Sequence, residues 1–186
     1  MRKFIVTAPA IVVASLALTA CMSNNVQEYS PDAVQAYQVK SNVSSKVNVG
    51  HFAMAASKDK NHILCRLAGN VYLPNKMTYS AYIQKAFSET FIAADRYSQN
   101  ARHKLTAQIR KVDFDSVKGD WVIAANVRVD RNRPVPIYSK TSFGTSWAAW
   151  SACKNVAQSF GSAVQNFVKK TLSNRTIVRE LNGRHG

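Results

Sequence analysis

Three cysteines, four histidines and ten acidic side chains are the residues of this chain best able to do chemistry. His51, His62, His103 and His185 stand at no ligand spacing with one another, with a cysteine or with a carboxylate, so no metal is expected. "DFDSVKGD" offers Asp113, Asp115 and Asp120, but a calcium loop wants Gly at its sixth place and Lys118 is there, which makes it a turn. The chain contains no GxSxG, P-loop, HExxH or glycine-rich dinucleotide fingerprint. The expectation is a protein that is not an enzyme and has no dissociable cofactor. Cys21 stands apart. It closes an apolar run, Phe4 to Ala20, that follows Arg2 and Lys3. A short basic start, an apolar centre and small residues at the end read as a secretory signal peptide over 1–20, with an uncleaved N-terminal anchor as the alternative.

The end of that run, Leu18-Thr19-Ala20-Cys21, resembles the lipobox of bacterial lipoproteins. The resemblance implies cleavage before Cys21, a thioether-linked diacylglycerol on its sulfur and an acyl chain on the new amine. Two or more chains give stable anchoring where one is marginal. Met22 occupies the place where Asp would imply retention in the inner membrane, so an outer-membrane location facing the periplasm is implied.

Without the leader, 23 basic residues face 10 acidic ones, a formal net charge of +13. Such an excess commonly signals an anionic partner. Nucleic acid is not expected outside the inner membrane. Lipid phosphate, lipopolysaccharide, peptidoglycan carboxylates and acidic protein faces remain. With Cys21 lipidated, Cys65 and Cys153 would be the thiols left in an oxidising compartment. Both fall on apolar faces, one on a strand and one on a helix, so a disulfide is expected, with two separate buried thiols as the alternative.

The elements that must position these residues follow from periodicity. Residues 21–46, polar and rich in Ser, Asn and Gln, read as the lipidated start and a flexible tether; Asp32 to Tyr37 admit a short helix. "KVNVGHFAMA" and "NHILCRLAGNVYLP" read as two strands joined in a hairpin by "SKDKN". "TYSAYIQKAFSETFIAADRYS" reads as an amphipathic helix behind a Thr78 N-cap. Three strands follow, in "HKLTAQIRKVDF", "GDWVIAANVRVD" and "RPVPIYSKTSF". The first carries a parity slip that suggests a bulge near Arg110 or Lys111, and the prolines of the third suggest an edge. The run from Thr145 to Leu172 carries the strongest helical stripe, and 174–186 reads as a basic tail. The domain is thus placed at 47–173.

The fold expected is α+β: a two-layer sandwich of about five mainly antiparallel strands, covered on one face by two helices. This element order resembles that of small periplasmic lipoproteins, among them the lipopolysaccharide-assembly lipoprotein, activators of cell-wall synthases and auxiliary lipoproteins of lipid-exporting ABC transporters. That resemblance implies binding or scaffolding without catalysis.

If apolar parity faces the helices, the other sheet face carries Arg66, Lys104, Thr106, Gln108, Arg110, Asn126, Arg128, Tyr138 and Lys140. It is either a basic docking surface or an ordinary solvated face. The leading expectation is an outer-membrane lipoprotein that binds an envelope protein or an anionic glycan or lipid. The alternative is an auxiliary subunit of a transport or secretion machine, handling lipid between helices and sheet.

Overall fold

A computed structural model describes residues 24–67 and 69–183; Cys21 and the signal sequence lie outside them. In chain order the elements are helix α1 (Ala33–Asn42), strands β1 (Val47–Ala53), β2 (His62–Cys65) and β3 (Gly69–Tyr72), and helix α2 (Tyr79–Ala93). Strands β4 (His103–Asp115), β5 (Asp120–Val129) and β6 (Val135–Ser142) follow, then helices α3 (Ala149–Leu172) and α4 (Arg175–Leu181). The fold is the expected two-layer α+β sandwich. Its main sheet has four strands in the order β1-β4-β5-β6, and β2 and β3 form a separate pair. Helix α2 covers β1, and α3 covers β5 and β6.

Alternation builds the long strands. Leu105, Ala107 and Ile109 of β4 and Trp121, Ile123, Ala125, Val127 and Val129 of β5 point into the core. The slip after Ile109 is a bulge: Ile109 pairs with Ala125 and Lys111 with Ala124, leaving Arg110 without an opposite residue. Strand β6 is an edge, as its prolines suggest. Aromatic rings join the layers. Trp121 lies 4.7 Å from Phe160 of α3 between ring centres, and its indole N–H donates to the Val156 carbonyl at 3.1 Å.

Four expectations are corrected. β1 and β2 do not form a hairpin. β1 runs parallel to β4, Val47 facing His103, because α2 returns the chain across the sheet as a crossover. The run expected as one strand from His62 folds back as β2 and β3, with Arg66 and Leu67 at φ 46° and 54°. Residues 24–46 are packed rather than free. Residues 24–26 lie along β3, Tyr29 Oη shares a hydrogen bond with Thr90, and Ala36, Val39 and Val43 are buried. The basic tail also carries α4, capped by Asn174 and holding Ile177 and Leu181 in the core. Asn182 stitches the two ends together through Ser44 and Asn42.

The expected disulfide is present, joining Cys65 of β2 to Cys153 of α3 with 5.8 Å between their Cα atoms.

Candidate functional site

The outer face of β4–β6 is polar because the inner face is filled. Lys104, Gln108 and Arg110 of β4 and Arg128 of β5 are exposed, and Thr106 pairs with Arg128, Gln108 with Asn126. Beside them, a Cβ on Gly50 would stand 2.8 Å from Thr106 Cγ2 and 2.9 Å from Lys104 Cδ. Its missing side chain therefore leaves those two room over β1. A shallow cavity of about 380 Å³ opens here between His51, Thr106, Gln108, Arg110, Asn126 and Arg128. Among the described residues, Lys104, Arg110 and Arg128 form no ion pair.

Two of the expected cations behave differently. Lys140 is exposed beside Tyr138 on β6, but its Nζ lies 2.8 Å from Asp120 Oδ2. Hydrogen bonds from Lys140 and then Ser142 hold the Asp120 carboxyl below the usual aspartate range, and the same pairing raises Lys140. That charge is already matched. Arg66 is not on the sheet face at all. Its positive φ turns it to the far end of β4, where its guanidinium donates to Ser116 Oγ at 2.9 Å, the Ser116 carbonyl at 2.5 Å and the Ser146 carbonyl at 2.8 Å. Arg66 is a clamp between loops.

The bulge gives Arg110 a second role. It lines both the shallow cavity and a larger cleft of about 500 Å³ beyond it. The exposed Lys58, Lys60, Arg110 and Lys111 surround this cleft, Met54 and Ile63 line it, and the buried Val112 and Tyr79 form its floor. Asp59 holds the loop that carries the two lysines by accepting the Ser80 amide at 2.9 Å at the start of α2. The Tyr79 hydroxyl is buried with no hydrogen-bond partner, and burial raises its pKa, so it keeps its proton to donate. Asp113 also lines the cleft, 3.4 Å from Lys111. Lys58 and Lys60 read in the sequence only as a turn, and Tyr79 only as core. Together the two cavities offer positive charge and donors suited to phosphate or carboxylate oxygens. Among the described residues no group of three metal-ligating side chains occurs.

The fold and this site define a small two-layer α+β domain with a basic sheet face. No family model matches the chain, and no curated protein matches it either. Among solved structures, it is similar to the crystal structure of protein XCC0632 from Xanthomonas campestris, described as family-model DUF330. The TM-score is 0.55 and the identity 12%, over 87% of this chain and 98% of that one. At that identity the likeness is one of fold.

Proposed function

We propose that this chain is a non-enzymatic outer-membrane lipoprotein, anchored through Cys21, that binds an anionic glycan or lipid headgroup of the envelope on its basic sheet face. The observation that carries the reading is the grouping of Lys104, Arg110 and Arg128 on one exposed face, their side chains in no ion pair among the described residues. Cations already paired contribute little to recognising a new anion. Cations left unpaired over a rigid sheet raise the encounter rate and select for negative charge.

The test has two arms. Replacing Cys21 by Ser should release the chain from membranes or block its processing. Lys104→Glu, Arg110→Glu and Arg128→Glu together leave the core untouched and should weaken binding to purified lipopolysaccharide and to peptidoglycan by about tenfold or more at low salt. The difference should shrink as salt shortens the Debye length. A folded triple variant with unchanged affinity at low salt refutes the basic face.

One observation favours a second reading, an auxiliary subunit of a lipid-handling machine: the cleft over Tyr79 joins apolar walls to a cationic margin. Phospholipid co-purifying with the protein, and lost when Ile63→Trp fills the cleft, would favour that reading.

A further inference from the structure

Ten large apolar side chains are exposed among the described residues, and five of them gather at one end: Leu64, Leu67, Val117, Trp147 and Trp150. Two links hold them there. The Arg66 guanidinium, next to Leu67, binds Ser116, next to Val117, and the carbonyls of Ser146 and Trp147. The disulfide ties Cys65, next to Leu64, to Cys153, less than one helical turn beyond Trp150. Neither link buries these side chains. Leu67 is 88% exposed and Trp147 fully so, although Leu67 also sits at φ 54°, a conformation costly for a leucine. An apolar group held outward against both solvent and backbone preference marks a contact surface.

The path of the chain says what the surface contacts. Asn24, the first described residue, accepts the Tyr72 amide at 3.1 Å. Its side-chain nitrogen lies 3.8 Å from the place of a Cβ on Gly69, two residues past Leu67. The segment from Cys21 therefore joins the body along β3, its backbone beside Tyr72 and the Asn24 side chain reaching toward Gly69 at the hairpin turn. Three residues reach about 10 Å at most, so a lipid on Cys21 keeps Asn24 within about that distance of the membrane surface, with the β2–β3 hairpin beside it. The charge agrees. Residues 61–67 and 143–154 contain no acid, the exposed Lys154 flanks the cluster, and Asp115, near Val117, is matched by Lys118 at 3.9 Å.

We propose that this end of the molecule docks on the lipid bilayer, with Trp147, Trp150, Leu64, Leu67 and Val117 entering the interface beside Cys21. Tryptophan suits that depth because its ring is apolar while its N–H remains hydrated. The inference rests on the lipoprotein reading of Cys21, and its test separates the two. The mature full-length protein is placed in phosphatidylethanolamine–phosphatidylglycerol vesicles whose acyl chains carry bromine, a quencher of indole fluorescence. Attachment is scored independently by vesicle flotation and by the mass of the N-terminal peptide. The wild type should lose about half or more of its Trp147 and Trp150 emission, as expected for rings at headgroup depth. The Trp147→Phe, Trp150→Phe variant, which keeps only the buried Trp121, should lose little. Attachment through Cys21 with emission untouched by bromine overturns the docking face and leaves the anchor standing; a second copy or a protein partner over the cluster gives that result. Quenching with an unmodified Cys21 supports the face and removes the anchor.

Discussion

Arg66 illustrates how one residue can change roles between sequence and structure. In the sequence it is one more cation on an alternating strand. In the fold it is the junction of three loops, with its guanidinium spread over Ser116 and Ser146. Removing it takes one donor from the Ser116 carbonyl, which keeps Thr145 Oγ1, and the donor of the partly buried Ser146 carbonyl, so Arg66→Ala should cost about 1–2 kcal/mol, measured as a lower urea midpoint with an unchanged slope. Arg66→Lys should recover little, since an ammonium cannot span both partners as the planar fork does. By contrast, the side chains of Lys104 and Arg128 form no ion pair among the described residues, and their replacement should stay within about 0.5 kcal/mol of wild type. The same comparison explains what could be read in advance. Lys104, Arg110 and Arg128 obey strand parity, so their common face was legible. Arg66 escapes parity through a positive φ, and Lys58 and Lys60 reach the cleft only because Asp59 caps a distant helix.

At the level of elements, the ends of the described chain belong to the core. Ile177 of α4 is fully buried, as is Val43 just beyond α1. Ile177→Ala should therefore destabilise the domain by about 2–5 kcal/mol in equilibrium unfolding. Amides of Val39 and Val43 should exchange with solvent as slowly as those of β5, and fast exchange there would restore the idea of a tether. The signal was present in the sequence: Ala36, Val39 and Val43 recur at helical spacing behind an Asp32 cap, but a polar composition outweighed it. The meander β4–β5–β6 was legible because period-two alternation resumes, with shifted parity, after the Arg110 bulge. The partner of β1 was not. Alternation tells which way a side chain points, whereas pairing depends on where α2 lays the chain down.

For the whole molecule, the disulfide closes a long loop, since Cys65 and Cys153 are 88 residues apart. The loop-entropy model assigns such a closure about 4–5 kcal/mol. The Cys65→Ser, Cys153→Ser variant should unfold at a clearly lower temperature, and reductant should lower the wild-type transition but not that of the variant. Within the loop lie β3, α2 and the strands β4, β5 and β6, and the pairing of β1 with β4 also spans much of it. This gives the bond a meaning in time. A chain threaded outward through a membrane emerges from its N-terminus, so Cys65 arrives long before Cys153. If this chain is exported as proposed, every strand of the main sheet has already crossed when the second thiol appears. On that proposed route oxidation of this pair can only follow the arrival of the whole sheet, and the closed bond serves as a receipt for completed passage: a chain stalled before α3 keeps a free Cys65.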